Sequence, residues 1–200
     1  MDEVAAEKAA LRERMRRLRE DISPIERTAR SAEVERRLFD LPELAEARTF
    51  LVFASFGSEV PTAAIAARLA GAGRRVLLPF VRGRDMEAAD MGPPGSLVAT
   101  AYGPREPAER VAVDPGGIDA VVAPGLAFGR DGYRVGYGGG YFDRYLARMS
   151  SKAVRVGIAF HEQLLDSVPH SSRDEPLHYV VTDRETVDCR PGMPRPLPGQ

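Results

Sequence analysis

Gly125-Leu126-Ala127-Phe128-Gly129-Arg130-Asp131-Gly132-Tyr133-Arg134-Val135-Gly136-Tyr137-Gly138-Gly139-Gly140-Tyr141-Phe142-Asp143 follows a short apolar, β-branched run, Ile118 to Pro124, and leads into a helical pattern. The run before it reads as a buried strand. Glycines at positions 136, 138, 139 and 140 strip Cβ atoms from the backbone, so the chain can take positive φ and approach a ligand closely. Tyr141, Tyr145 and Leu146 then share one helical face, with Arg144 and Arg148 on the other. Strand, glycine loop and helix stand in the order of a phosphate cradle, because unpaired N–H groups at a helix start favour an anion, and Arg134 adds a full charge. The spacing is neither that of a Walker loop, which ends in Gly-Lys-Ser/Thr, nor the dinucleotide fingerprint.

Working outward on the N-terminal side, Thr49 to Ala54 is apolar throughout and predicts a strand covered on both faces. It ends at Ser55-Phe56-Gly57-Ser58-Glu59, so Glu59 stands beyond a strand's carboxyl end, where open α/β sheets gather ligands. A short helix over Ala63 to Ala70 and a strand over Arg75 to Phe80 complete a β-α-β unit and argue for a parallel core. Met86 to Met91 and Leu97 to Ala101 predict a hairpin-like excursion joined by Gly92-Pro93-Pro94-Gly95. On the C-terminal side, Val154 to Phe160 and Tyr179 to Thr182 read as two more strands.

Two helices open the chain. Asp2 to Glu20 lacks Gly and Pro, places Leu11, Met15 and Leu18 at helical spacing, and sets Lys8, Arg12, Arg16 and Arg19 about one turn apart. Such a row is a solvated face or, at Lys8 and Arg12, a reach toward an anion held elsewhere. Ser23-Pro24-Ile25-Glu26 then supplies an N-cap, a proline at the first helical position and a capping-box glutamate for a helix to about Phe39, with Ala29, Ala32, Val34 and Leu38 expected inside.

The 200 residues, 44% hydrophobic and 28% charged, suit one domain with a sizeable core, and a net charge of −1 offers no overall attraction to nucleic acid or anionic membrane. Cys189, the one cysteine, cannot form an internal disulfide, and no paired Cys/His spacing suggests zinc. A charged N-terminal segment and the lack of an apolar run of about 18 residues lead to the expectation of a cytoplasmic protein. The reading is a single three-layer α/β domain over residues 1–187, with a mostly parallel central sheet, helices on both faces and a small antiparallel excursion, followed by a proline-rich tail over 188–200 expected to be mobile.

Taken in order, Lys8 to Arg12, Ser55 to Thr62 with Glu59, Pro124 to Phe128, Gly132 to Arg144, Val156 to Phe160 with Gln163, and Val180 to Asp183 resemble the 5-formyltetrahydrofolate cyclo-ligase family, also called 5,10-methenyltetrahydrofolate synthetase. The resemblance implies an ATP-dependent cyclisation of 5-formyltetrahydrofolate with magnesium as cofactor and ADP and phosphate released. It implies ATP contacts from Lys8, Arg12 and the loop Arg134, Val135, Gly136, Tyr137, Gly138, Gly139, Gly140, Tyr141 and Phe142. Folate contacts fall on Ala54, Glu59 and Tyr137 through Tyr141, with Met86 as a further wall, and magnesium on Asp143. No residue is assigned a proton transfer, and a monomer without nucleic-acid or membrane partner is expected. Phe142 replaces a common tyrosine, Arg173-Asp174 a frequent His-Asp pair, and His178 a usual aspartate; imidazole suits magnesium poorly, so His178 is left outside the metal site. His161 and His170 read as solvated loop residues. Rival readings are an enzyme using ATP on another small anion, or a homologue that binds folate or RNA without catalysis.

Overall fold

The computed structural model describes residues 3–101 and 103–190 of the chain. Its first two helices are α1, Glu3–Glu20, and α2, Pro24–Phe39. Ser23 caps α2 in a full capping box with Glu26. After β1 (Thr49–Val52) come α3 (Ala63–Gly71), β2 (Arg75–Arg82) and β3 (Asp85–Asp90). Then follow β4 (Val98–Ala99), β5 (Arg105–Glu106), β6 (Ala120–Ala123), β7 (Ala127–Gly129), β8 (Arg134–Val135) and α4 (Tyr141–Leu146). The remainder is β9 (Val154–Ala159), β10 (Leu164–Leu165), β11 (Tyr179–Thr182) and β12 (Thr186–Asp188).

Seven strands form the main sheet in the order β12-β11-β9-β6-β1-β2-β3. Its five inner strands pair in parallel, and both edges, β3 and β12, are antiparallel. Side chains alternate between two cores because successive residues of a strand point to opposite faces. Phe50, Val52, Val122 and Ile158 pack on the face covered by Val34 and Leu38 of α2 and Ile65 and Leu69 of α3. Leu51, Val121, Ala123 and Val180 pack on the other, with Tyr145 and Leu146 of α4. Full burial of each large aliphatic side chain stabilises by about 1.5–3 kcal/mol. Helices therefore lie on both faces, as expected. The α1 helix instead sets Met15 against Leu126, Val135 and Val168, beside the small sheet β10-β7-β8.

Several local expectations are corrected. The glycine-rich stretch is not one loop: it contains the antiparallel pair β7 and β8, so a hairpin stands between β6 and the glycines. Met86 to Asp90 lies in β3, which pairs with β2 across a turn at Gly83, whereas β4 pairs with β5. The excursion's two segments thus have different partners. Ala29 and Ala32 are exposed; Val34 and Leu38 set the inward face of α2, where Arg30 lies over Phe160 and pairs with Asp183 and Glu162. A methyl group gains too little by burial to decide a helix's rotation against larger side chains. The helix after the glycines ends at Leu146, so Arg148 lies beyond it. Beyond β12, Cys189 N donates to the His178 carbonyl, and the mobile tail expected from the prolines falls mostly on residues 191–200, outside the described residues.

Gly132 makes the β7–β8 turn at φ +88°, where a Cβ would meet the Leu177 carbonyl oxygen at 2.5 Å and the Cys189 Cβ at 3.1 Å. Gly132→Ala is expected to cost about 2–3 kcal/mol in backbone strain and overpacking, lowering Tm by roughly 5–10 °C. Calorimetry checks this, and a Tm equal to that of the wild type would show that the turn relaxes freely.

Candidate active site

In chain order the five parallel strands run 2-1-3-4-5 across the sheet, so the direction of winding reverses between β1 and β6. Ligands in such sheets bind beyond the carboxyl ends of the strands at that reversal. There β1 runs into Phe53 and Ala54 and β6 into Pro124, and all three line a cavity of about 430 Å³. Gln163, buried at 2% exposure, holds this junction: its amide donates to the Leu126 carbonyl at 2.9 Å and accepts from Phe160 N at 3.0 Å.

One wall is cationic and rich in bare backbone. Residues Gly136 through Gly140 line it, together with Lys8, Arg12 and Arg134. Arg12 Nε donates to the Gly136 carbonyl at 2.8 Å, fastening α1 to the glycines. Gly138 has φ +107°, a backbone conformation that side chains rarely adopt, and a Cβ there would sit 3.5 Å from the Arg12 guanidinium carbon. Gly140 is the N-cap of α4 and provides no side-chain cap, so the first-turn N–H groups keep their hydrogen-bonding capacity. Arg144 secures the same segment, donating to the Gly139 carbonyl at 2.9 Å and the Arg84 carbonyl at 2.6 Å.

Each cation of this wall has an anionic or carbonyl partner. Lys8 Nζ meets both Asp174 oxygens, at 2.7 and 2.9 Å. Burial opposes ionisation of Asp174, but the bonds from Lys8 and Ser171 outweigh it and hold the carboxyl below its usual range. Arg134, 4% exposed, donates to the Glu175 carbonyl at 3.0 Å and lies 3.1 Å from Asp143 Oδ1. Asp143 Oδ1 also accepts from Glu175 N at 3.2 Å. Among the described residues no group of three or more His, Cys, Asp or Glu side chains could hold a metal ion. A single carboxylate suits a magnesium ion that keeps its waters and is carried in by phosphate oxygens, not a caged ion.

The other end is apolar and aromatic, lined by Phe53, Phe56, Phe80, Met86, Tyr141 and Phe142. Glu59 sits within it at 4% exposure. Its Oε1 accepts from the Tyr137 hydroxyl at 2.7 Å and its Oε2 from Phe56 N at 2.8 Å. Burial pushes the Glu59 carboxyl up, against the bonds from Tyr137 and Phe56 and the charge of Arg19. Burial and the Glu59 charge likewise push the Tyr137 hydroxyl up, which keeps it a donor. A flat heterocycle with N–H donors fits such a pocket by stacking and by charge-assisted hydrogen bonds.

Every residue singled out from the sequence for ligand or metal lines this one cavity: Lys8, Arg12, Ala54, Glu59, Arg134 through Phe142, and Asp143, with Met86 as well. His178 does not; its Nδ1 accepts from Arg155 N at 3.2 Å. His170 is exposed, as expected, with its ring stacked on Tyr133 at 3.6 Å, whereas His161 is half-buried 3.6 Å from Glu185. Sequence reasoning missed Asp174 as the partner of Lys8, Glu106 in the cavity wall, and Arg19. The signal for Arg19 was available: it shares a helical stripe with Arg12 and the core residue Met15. The basic row of α1 is therefore not one surface, for Arg16 and Arg17 pair with Glu13 while Arg19 turns inward. Among the described residues no helix is long and apolar enough to cross a membrane.

Residues 4–183 match the 5-formyltetrahydrofolate cyclo-ligase family. The chain is 30% identical over 174 residues to 5-formyltetrahydrofolate cyclo-ligase of Escherichia coli (strain K12), covering 84% of this chain and 96% of that protein. It is 27% identical to the probable 5-formyltetrahydrofolate cyclo-ligase of Caenorhabditis elegans, over 94% of this chain and 98% of that one. Among solved structures, the 5,10-methenyltetrahydrofolate synthetase of Aquifex aeolicus superposes with a TM-score of 0.82 at 29% identity, over 96% of this chain and 97% of the other.

Proposed function

The chain belongs to the 5-formyltetrahydrofolate cyclo-ligase family, and on that premise we propose that its cavity takes 5-formyltetrahydrofolate and ATP side by side and closes the formyl group onto N10. The products are 5,10-methenyltetrahydrofolate, ADP and phosphate. A formamide oxygen leaves poorly, so it first attacks the γ-phosphorus and the bond to ADP breaks. N10 then attacks the activated carbon, the carbon–oxygen bond breaks, phosphate departs with the former formyl oxygen, and the N10 proton is lost to water. Chemistry of this kind rests on alignment and on neutralising oxygens, not on a nucleophilic side chain.

In this reading Lys8, Arg12, Arg134 and the backbone from Val135 to Phe142 hold the phosphates, exchanging their present partners for phosphate oxygens. Asp143 would hold magnesium, which when bound spreads the phosphate charge. Ala54, Glu59 and the Tyr137 to Tyr141 segment hold the folate, with Glu59 on its ring N–H groups and its ionised carboxyl favouring the cationic character that builds as the new ring closes. The carrying observation is that a cationic, glycine-lined wall and a buried acid among aromatic rings bound the same cavity, with Tyr137 belonging to both.

Mixing the protein with 5-formyltetrahydrofolate, magnesium and ATP should produce the methenyl compound's near-ultraviolet absorbance, and omitting ATP should abolish it. Failure to form product when both ligands are shown to bind would refute the reading.

A further inference from the structure

We infer that Arg19 is a positioning residue for the folate half of the reaction, holding the Glu59 carboxylate and the Tyr137 hydroxyl in the arrangement that meets the substrate. The inference rests on the cyclo-ligase reading and adds a residue that does not itself line the cavity. Lys8, Arg12, Met15 and Arg19 fall on one stripe of α1, each three or four residues from the last. Two turns of that helix serve the glycine wall, Met15 anchors it in the small core, and the next turn delivers a guanidinium to the opposite end of the site.

At 4% exposure Arg19 has given up its water. Burying a guanidinium is costly unless every donor direction is used, and an aliphatic side chain like Met15 would serve packing better. Here the fork is used. Arg19 Nε donates to Ser58 Oγ at 2.9 Å, Nη2 donates to the Tyr137 hydroxyl at 2.9 Å, and Nη1 lies 3.9 Å from Glu59 Oε1. The Tyr137 hydroxyl donates in turn to Glu59 Oε1, so a continuous hydrogen-bonded chain runs from Arg19 through Tyr137 to the carboxylate. The guanidinium also lies 6.0 Å from the centre of the Tyr137 ring.

The other groups facing Glu59 are neutral donors, the Tyr137 hydroxyl and Phe56 N. Charges elsewhere in the cavity have partners of their own: Lys8 has Asp174, Arg134 has Asp143, and Glu106 has Arg110. Arg19 is accordingly the cation that opposes the desolvation of Glu59. Lysine at this position would keep a charge and three donors but would lack the planar fork whose Nε and Nη2 meet Ser58 and Tyr137 in fixed directions.

The test uses Arg19→Met and Arg19→Lys. Protein labelled with ¹³C on glutamate carboxyls reports the Glu59 titration by NMR, its resonance assigned through Glu59→Gln, and steady-state kinetics report the rest. In Arg19→Met the Glu59 midpoint should move upward, the acid limb of folate kcat/KM should move to higher pH with it, and folate KM should rise roughly tenfold or more. ATP KM should be unchanged, and Arg19→Lys should lie between. A midpoint and acid limb like those of the wild type in Arg19→Met would overturn the inference. Should that variant not fold, Arg19→Lys decides: a raised folate KM with unchanged ATP KM supports the role, and a wild-type folate KM overturns it. Failure of the cyclo-ligase reading would instead leave the wild type without product while the NMR midpoint still shifted.

Discussion

Arg134→Ala is expected to lower kcat/KM for ATP by about 10²–10³-fold, the range for losing a preorganised donor to developing charge, while the dissociation constant for 5-formyltetrahydrofolate stays near that of the wild type. The guanidinium is nearly sealed from water, which makes its charge felt at the glycine wall with little screening. Its removal also leaves the Glu175 carbonyl without that donor and Asp143 without its cation. Uncompensated buried charge costs about 3–5 kcal/mol when one partner is deleted. Asp143 keeps 22% side-chain exposure beside the cavity, so water should recover much of that cost and the fall in Tm should be modest. Varying ATP at saturating folate gives the kinetic part, and ligand titration gives the folate part. Wild-type ATP kinetics in this variant would remove Arg134 from the nucleotide site.

Glu59→Gln should act in the opposite way. Glutamine preserves shape but has a single acceptor oxygen, so it can keep the bond from Tyr137 or the one from Phe56 N and not both, and it brings no charge to the ring N–H groups. Folate kcat/KM should fall about 10²-fold, as for loss of a charge-assisted hydrogen bond that strengthens in the transition state, with ATP KM little changed. Stability should respond differently from activity. Burial raises the folded-state pKa of Glu59 above its unfolded value. Its protonated form therefore contributes stability that is complete below the unfolded value of 4.5 and is lost as pH rises through the folded pKa. Glutamine does not titrate, so the Tm of the variant minus that of the wild type should increase from acidic to neutral pH. A difference that stays flat, or shrinks as pH rises, would show that Arg19 and its neighbours fully offset the burial.

The two variants separate the halves of the site, and α1 connects them. Lys8 and Arg12 reach the glycine wall from the same helix that sends Arg19 behind Tyr137. A shift of α1 would thus be felt at both ligands, whereas the Gly132 turn is a matter of fold alone.

The strands β1, β6, β9 and β11 were legible because each is an apolar run whose residues are buried on both faces, a property that belongs to the run itself. The start of α2 was legible because Ser23, Pro24 and Glu26 act on each other within one turn. The candidate site was legible in large part because glycine, arginine and acid positions fall at the ends of those strands, and parallel winding collects strand ends in one place. What was not legible required partners distant in sequence. Lys8 finds Asp174 across 166 residues, and Arg19 finds Tyr137 across 118. The strength with which Glu59 resists ionisation depends on how completely Phe56, Tyr137 and α1 exclude water from it, and a turn glutamate carries no local mark of that burial. The β7–β8 hairpin escaped notice because its short strands lie among glycines, where local preference is weak and pairing is decided by Met15, Val135 and Val168 closing into the third core. Local chemistry thus determined the elements and the residues available to the site; packing at long range decided which of them face one another, and hence which charges are screened, paired or left to act.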